Sequence, residues 1–276
     1  MSTLDRQFGR SAFGADPANY HAARPPYPAA VWTALRQRAG LRPGIDILEI
    51  GAGSGLATGP LLQHDPRRLT AVEPDRRLAE FLRATLHDPR LDAVAEPFET
   101  APLPLAGFDL VVSATAFHWL DARPALQRVA TLLRPGGHVA LCWNVFGGPD
   151  RPDPFHDATE HLFVGQQTSP SQGDGNRQEH GLDAEARLAD FAATGFSPDR
   201  PQFESWILTL DPEGVRSLYA TFSHVAALPL LERNALLDGL VTIAANRFAG
   251  VVQRNMTTAI YTARIEDRRR IRAVAW

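Results

Sequence analysis

Three glycines and two glutamates are the residues whose types and spacing could do chemistry in this chain of 276 residues. Gly51, Gly53 and Gly55 occupy alternate positions just after a short apolar run that contains Glu49, and Glu73 ends a second such run. Glycines at a turn let the backbone approach a ligand closely, and a carboxylate at the next strand tip can accept hydrogen bonds from both ribose hydroxyls. An acid beside the turn would repel a pyrophosphate. The pattern therefore favours a nucleoside ligand that carries a cation or an amine.

The elements that must position these residues are a strand at 45–50, a helix at 56–62 and a second strand at 69–73. Strand, glycine turn and helix form the first half of a nucleotide-binding α/β unit. A dinucleotide fingerprint has its third glycine three positions after the second, where this chain has Leu56. The alternative for Glu73 is a solvated turn in which Glu73-Pro74-Asp75 only caps the next helix.

This glycine turn resembles motif I of the class I methyltransferases that use S-adenosylmethionine (SAM), a cofactor with both a sulfonium and an ammonium group. Two further stretches fit: an apolar run at 107–114 predicts a fourth strand, and Leu-Arg-Pro-Gly-Gly at 133–137 is typical of the same class. The resemblance implies cofactor-binding roles for the residues of the two strand tips, which are Glu49, Gly51, Gly53, Gly55, Glu73 and Pro74, and for Ser113 in the fourth strand.

An N-terminal element narrows the resemblance. Tyr20-His-Ala-Ala-Arg-Pro-Pro-Tyr-Pro28 is similar to a Tyr-x-x-x-Arg-Pro-x-Tyr-Pro element of small-molecule methyltransferases like the trans-aconitate methyltransferases. There it lies across the SAM site as part of a lid. By this resemblance Tyr20, Arg24 and Tyr27 cover SAM and meet its carboxylate, since arginine binds carboxylates bidentately, and Tyr27 also faces the substrate. The alternative is a surface arm with an arginine in a turn.

Aromatic and polar residues after the third strand match the place where the family holds adenine. A weak strand at 91–95 is followed by Phe98 and Glu99, which would supply the aromatic contact and the polar group for the exocyclic amine. The alternative is a loop with an inward phenylalanine.

A histidine after the fourth strand is the candidate catalytic residue. Ala116-Phe-His-Trp119 resembles the Ala-x-His-Trp element of the same group, and ligand chemistry collects at the carboxyl ends of such strands. His118 could act as a base, contact substrate or fix the loop. The other predicted substrate-binding residues are Trp119, Asn144, Phe146 and His224, with the alternative that Trp119 and Phe146 are core residues and His224 caps a helix.

The fold predicted is α/β, with a doubly wound, seven-stranded, mainly parallel sheet of the Rossmann-like methyltransferase type and a helical cap from insertions. Four segments follow: an N-terminal lid and helix at 1–40, a SAM-binding core at 41–145, a cap insertion at 146–182, and a C-terminal part of the sheet with cap helices at 183–276. A last strand at 255–265 is expected to run antiparallel.

Composition bounds the remaining properties. A net charge of −3 gives no reason to expect nucleic acid as the main partner, because such a partner usually requires a basic face. Cys142 is the single cysteine, so no disulfide can form within the chain. No apolar run approaches membrane-spanning length. His156 and His161 do not have the spacing of a helical metal-binding pair. We expect a cytoplasmic monomer or homodimer with a small-molecule substrate, no metal, and no nucleic-acid or membrane partner.

The sequence thus predicts SAM-dependent methyl transfer to a small organic molecule, with O-methylation of a carboxylate or hydroxyl favoured. Three alternatives stay open. One is an enzyme of another reaction type that keeps SAM as a structural cofactor. Another is a nicotinamide-dependent oxidoreductase, and the third is a binding protein without activity.

Overall fold

A mixed sheet of eight strands forms the centre of the chain, and the computed structural model describes residues 3–5, 8, 13–147, 151–172 and 179–266. The strands are β1 (Asp46–Ile50), β2 (Arg68–Val72), β3 (Leu91–Val94), β4 (Phe108–Ala114), β5 (Leu133–Phe146), β6 (Phe196–Pro198), β7 (Gln202–Leu210) and β8 (Val252–Ile265).

The strand order is β3-β2-β1-β4-β5-β8-β6, and β7 also pairs with β8. β1 pairs in parallel with β2 on one side and with β4 on the other. The chain therefore winds outward in one direction as far as β3 and then returns to start again beside β1. A crevice opens at such a reversal, outside the carboxyl ends of the strands, so the topology places a ligand site at the tips of β1 and β4.

Strand β1 is covered on both of its faces. All five of its residues are buried, as expected for the centre of a parallel sheet. Leu48 and Ile50 pack into one hydrophobic cluster, and Ile47 packs into another on the opposite face. This alternation follows from the two-residue period of a strand, and it aims the side chain of Glu49 the same way as that of Ile47.

The antiparallel part of the sheet differs in detail from the seven strands expected. β8 runs antiparallel to β5, as predicted, but both β6 and β7 pair with its other edge. β6 covers 263–265 of β8 and β7 covers 252–260, so two short segments share one position in the sheet. The three-residue β6 is the strand that brings the sheet to eight strands in place of the seven expected.

Helices cover both faces of the sheet and build a cap beyond its edge. In the described residues they are α1 (Pro17–Ala23), α2 (Ala29–Arg38), α3 (Thr58–Leu62), α4 (Arg76–Thr85), α5 (Ala122–Leu132), α6 (Pro154–Thr159), α7 (Ala184–Ala192), α8 (Pro212–Ala220), α9 (Ser223–Ala226) and α10 (Leu230–Arg247). α3 begins two residues later than predicted, because the glycine turn continues to Ala57.

The cap has its own apolar core. Phe155, Val215, Leu237 and Leu240 pack together there, away from the two clusters of the sheet. A buried ion pair ties this cap to the sheet, because Arg254 Nε of β8 donates to Asp153 Oδ2 at 2.8 Å. Among the helices in the described part of the chain, none combines the length and apolar character needed to cross a membrane.

Candidate active site

A cavity lies at the carboxyl ends of β1 and β4, where the strand order reverses. It holds about 1100 Å³ of space, including its open mouth. The residues that line it come from the strand tips, from the N-terminal segment and from the cap: Phe13, Tyr20, Arg24, Pro25, Tyr27, Glu49, Ile50, Gly51, Ala52, Gly53, Ser54, Leu56, Ala57, Val72, Glu73, Pro74, Leu78, Phe98, Glu99, Ala114, Thr115, Ala116, Trp119, Leu120, Asn144, Phe146, Leu218 and Met256.

Each of the three glycines in the turn excludes a side chain for a different structural reason. All have positive φ, at 70°, 56° and 95° for Gly51, Gly53 and Gly55. A Cβ at Gly51 would lie 2.3 Å from the Cβ of Ala116, whereas a Cβ at Gly53 would meet nothing closer than Tyr20 at 3.9 Å. The space over Gly53 is thus part of the cavity. Gly55 was predicted to bind cofactor, but it does not line the cavity, and a Cβ there would lie 2.6 Å from Leu82 on α4.

Glu73 is held over the glycine turn by backbone hydrogen bonds. Its Oε2 accepts from the N–H of Gly53 at 2.8 Å and its Oε1 from the N–H of Asp75 at 2.9 Å. The residue is only 5% exposed. Each carboxylate oxygen has a second lone pair, so the group can accept further hydrogen bonds while its position stays fixed. The alternative holds for Asp75, which caps α4 by accepting from Arg77 N–H, but the buried carboxylate of Glu73 bonds to the glycine turn as well.

Glu49 is a buried carboxyl group in the cavity wall. The hydroxyl of Thr58 donates to its Oε2 at 2.7 Å. Burial raises its pKa from 4.5 to about 8, with a smaller contribution from the charge of Glu73. A group of this kind is ready to ionise when a cation enters, because a nearby positive charge favours the carboxylate form.

Phe98 and Glu99 both line the cavity, at its β3 end. The ring of Phe98 is 3% exposed, and the guanidinium of Arg128 lies 5.3 Å from its centroid. Arg128 also donates to the carbonyl of Ala101 at 2.6 Å. The aromatic ring is therefore fixed from behind, while the exposed side chain of Glu99 lies at the rim.

The N-terminal strap, defined here as residues 13–27, crosses the cavity and is attached on both sides. On the glycine-turn side, His21 Nδ1 is 3.0 Å from the carbonyl oxygen of Ser54. On the cap side, Asn19 donates to the carbonyl of Ser217 at 3.2 Å. Farther along, Asn144 Nδ2 donates to the carbonyl of Pro25 at 3.3 Å. The segment is a strap over the site and not a surface arm.

Arg24 is the cation of the strap. Its guanidinium lies 5.2 Å from the ring centroid of Tyr20 and 4.9 Å from that of Phe222, and its Nη2 donates to the carbonyl of Thr221 at 2.9 Å. The Nε atom is buried and has no hydrogen-bond partner among the described residues. A buried guanidinium N–H without a partner costs free energy, so this atom marks where an anionic group of a ligand would be stabilised.

The β5 end of the cavity is aromatic and apolar. Phe146 contacts Phe222 edge to face at 5.8 Å, and the guanidinium of Arg254 lies 4.4 Å behind its ring. Leu218 and Met256 complete this wall. With few polar groups among apolar walls, this end has the character of a small-molecule pocket.

Four predicted site residues do not line the cavity: Gly55, Ser113, His118 and His224. Ser113 is fully buried, and its hydroxyl donates to the carbonyl of Ile50 at 2.9 Å, which fastens β4 to β1. His224 packs between Phe222 and Phe163, and burial lowers its pKa to about 4. These residues support the walls from outside.

His118 lies behind the cavity wall, and its neighbour Trp119 takes the lining position. The His118 ring is 5% exposed, and its Nδ1 accepts from Trp143 Nε1–H at 3.2 Å. Its centroid is 6.0 Å from that of His180. Consecutive residues of the short helix Phe117–Trp119 point in different directions, so the sequence could place the pair but not choose between them. Of the three roles considered for His118, base, substrate contact or loop anchor, its place behind the wall favours the loop anchor, and the expectation of a catalytic His118 lining the cavity is corrected.

Several lining residues were missed from the sequence. Thr115 follows β4 directly. The other three examples lie far from the glycine turn in sequence: Phe13 in the strap, Leu218 in α8 and Met256 in β8. Leucine and methionine at ordinary core spacing carry no local signal of a binding role. The described residues also hold no cluster of three or more groups that could bind a metal ion.

Comparison with known proteins gives the class of this site. Residues 48–141 match the family model of a methyltransferase domain. The chain is 26% identical to an uncharacterized methyltransferase of Schizosaccharomyces pombe over 91% of this chain and 96% of that protein. It is 34% identical to the uncharacterized methyltransferase Rv3342 of Mycobacterium tuberculosis over 51% of this chain and 56% of that protein. In that second comparison, the aligned part spans only about half of the relative's length.

Solved structures agree on the fold. A protein of Anaeromyxobacter dehalogenans, assigned as a type II methyltransferase, superposes with a TM-score of 0.62 at 23% identity, over 88% of this chain and 99% of that one. The chain is a SAM-dependent methyltransferase of the class I fold. The glycine turn and Glu73, which line the cavity of this methyltransferase, both lie within the matched residues 48–141.

Proposed function

We propose that this methyltransferase transfers the methyl group of SAM to a small organic molecule, with an oxygen of a carboxylate or hydroxyl as the favoured acceptor. The supporting observation is one cavity that joins two unlike halves. One half has the fixed carboxylate of Glu73 over the open space at Gly53. The other half has aromatic and apolar walls around Phe146 and Met256.

The first half fits the parts of SAM one by one. Glu73 would accept hydrogen bonds from the ribose hydroxyls, Pro74 would line the same end, and Phe98 with Glu99 would hold adenine. The space that a Cβ at Gly53 would fill offers room for the cofactor backbone. Glu49 would face the ammonium group, and Tyr20 with the unpartnered Nε of Arg24 would meet the carboxylate.

The chemistry asked of the chain is alignment more than proton transfer. Bound SAM supplies a methyl group already activated by the sulfonium. The strap and the cap would exclude water and hold the acceptor in line, and proximity of this kind can supply on the order of 7–11 kcal/mol. Among the described residues that line the cavity there is no histidine. An acceptor that is already a carboxylate needs no general base, which supports that class.

The acceptor end favours a modest organic molecule. Tyr27, Trp119, Asn144 and Phe146 would contact it, together with Leu218. The strap closes over this end through the Asn144 contact with Pro25, which leaves little room for a protein chain or a duplex. His118 would act from behind Trp119 as a positioning residue.

The test is binding and transfer by the purified chain. Calorimetry should show tight binding of SAM and of S-adenosylhomocysteine (SAH) and no comparable binding of NAD. Incubation with methyl-labelled SAM and a panel of small acids, phenols and amines should give a labelled product. SAM binding without transfer to any member of the panel would favour the alternative, an enzyme that keeps SAM for another reaction. Binding of NAD without SAM would contradict the proposal.

A further inference from the structure

Thr115 adopts a backbone conformation that its side chain disfavours. It lies at the tip of β4 with φ of 52°, and β-branched residues rarely adopt the left-handed region. Its N–H donates to the carbonyl of Cys142 at 2.7 Å, which holds the strained turn in place. Such conformations persist where the surroundings fix them, and they concentrate at functional sites.

The hydroxyl of Thr115 has one proton that the described residues do not use. The phenol of Tyr27 donates to Thr115 Oγ1 at 2.8 Å, and the N–H of Asn144 donates to the same oxygen at 3.3 Å. A hydroxyl has two lone pairs and one proton, so both of its acceptor positions are occupied. No acceptor for the proton is found among the described residues, and Thr115 lines the cavity.

The phenol of Tyr27, which donates to Thr115, stays protonated at neutral pH. Burial raises the pKa of its phenol well above 10, so it remains an O–H donor at neutral pH. Its ring is held edge to face against Trp32 at 6.3 Å. The phenol cannot accept a proton from an incoming acceptor under these conditions, and what the pair presents to the cavity is a donor.

Thr115 lies at the boundary between the two halves of the cavity. On one side its neighbour Ala116 abuts Gly51 of the glycine turn. On the other side it contacts Asn144 of β5 and Tyr27, the last residue of the strap. A ligand group at Thr115 would therefore lie between the cofactor half and the aromatic half, which is where transfer has to occur.

We infer that the Thr115 hydroxyl donates a hydrogen bond to an oxygen of the methyl acceptor and thereby selects oxygen acids over amines. The inference rests on the proposed methyl transfer. An unprotonated carboxylate oxygen accepts this bond and keeps other lone pairs for attack on the methyl carbon. An ammonium group has only donors to offer, and it would face the donated proton without an acceptor.

The experiment compares Thr115→Val, which keeps the β-branched shape, with Thr115→Ser, which keeps the hydroxyl. Benzoate and benzylamine serve as matched probes, and both are added to the SAH complex. We expect benzoate to bind the wild type better than benzylamine does. Thr115→Val should weaken benzoate binding about 10- to 100-fold, the range for a hydrogen bond to a charged group. Thr115→Ser should stay close to the wild type, and SAH affinity should not change in either variant.

A second variant controls for folding. Thr115→Val leaves the Tyr27 phenol without its acceptor, whereas the double variant Tyr27→Phe/Thr115→Val removes both hydroxyls. If the single variant unfolds early, the double variant carries the same test, and thermal unfolding reports on both. Tyr27→Phe alone should lose less benzoate affinity than Thr115→Val, because it leaves the Thr115 donor in place.

Several outcomes would overturn the inference while leaving the proposed function intact. Equal benzoate binding by the wild type and Thr115→Val is one, and preference of the wild type for benzylamine is another. Absence of benzoate binding to the wild-type SAH complex also contradicts it. A loss of SAH affinity in Thr115→Val would assign the hydroxyl to the cofactor. Failure of the proposed function is a separate result, namely that the wild type neither binds SAM nor transfers its methyl group.

Discussion

Glu73 Oε2 accepts a hydrogen bond from the N–H of Gly53 at 2.8 Å, which joins the tips of β1 and β2 across 20 residues of sequence. The contact fixes a carboxylate directly beside the most open glycine of the turn. It also couples two features that the sequence suggested separately, because the backbone that must approach a ligand is positioned by the side chain that would bind its ribose.

Replacing Glu73 by alanine should weaken SAH binding by about 1–3 kcal/mol, the cost of losing hydrogen bonds to a charged group. Some loss of stability should accompany it, because the N–H groups of Gly53 and Asp75 lose their acceptor. Calorimetry measures the affinity and thermal unfolding the stability. Glu80→Ala, which removes an exposed carboxylate from α4, is the matched control and should change neither. Unchanged affinity in Glu73→Ala would leave Glu73 with only a structural role.

Replacing Gly53 by leucine should abolish SAH binding, because the side chain would project into the cavity. The positive φ of 56° adds strain of about 1–2 kcal/mol to the folded state. Gly44→Leu separates the two effects, since Gly44 has φ of 77° and open space around its Cβ position. That control should lose similar stability and keep SAH affinity. Retained affinity in Gly53→Leu would place the ligand elsewhere.

The pKa of Glu49 predicts how stability depends on pH. The folded-state value of about 8 lies above the ordinary 4.5, so the folded chain binds the proton more tightly than the unfolded chain. Stability from this group is present in full below about pH 4.5, falls as pH rises to about 8, and is constant above. Glu49→Gln lacks this titration, so its advantage over the wild type should grow through that window. Chemical unfolding at several pH values measures it, and a constant difference would contradict it.

The same carboxyl predicts proton release when the cofactor binds. An ammonium group beside Glu49 favours its ionised form, so SAM should displace a proton near neutral pH. Calorimetry in buffers of different ionisation enthalpy detects this release. Glu49→Gln should abolish it, and wild-type binding without proton release would place the ammonium away from Glu49.

Replacing His118 by alanine should reduce turnover because Trp119 loses its support, and not because a general base is lost. A general base contributes about 10²–10⁴-fold, with a loss that changes with pH. We expect a smaller loss that is uniform across pH, together with lower stability because Trp143 Nε1 loses its acceptor. His118→Gln, which can still accept that hydrogen bond, should recover part of the stability. A large loss that shrinks as pH approaches the acceptor's own pKa would restore His118 as the base.

The sequence by itself determined the features that depend on neighbours along the chain. A buried strand, alternate glycines and a carboxylate at the next strand tip specify a local path for the backbone, so Glu49, Gly51, Gly53 and Glu73 could be predicted to lie together. These residues lie together because parallel strands bring their carboxyl ends to one edge of the sheet. The strap, in contrast, was expected only from the resemblance of the Arg-Pro-Pro-Tyr stretch to a family element.

Tertiary packing decided which side of each wall a residue faces. Trp119 lines the cavity and His118 lies behind it, because Trp143 and His180 surround the histidine ring. Gly55 packs against α4 and does not line the cavity. Leu218 and Met256 line the cavity although they are distant from the glycine turn in sequence. Thr115 became a candidate for binding the methyl acceptor only from the structure, which shows that Tyr27 and Asn144 both donate hydrogen bonds to its hydroxyl oxygen. Orientation within a turn and contacts across the fold depend on packing partners that local spacing does not specify.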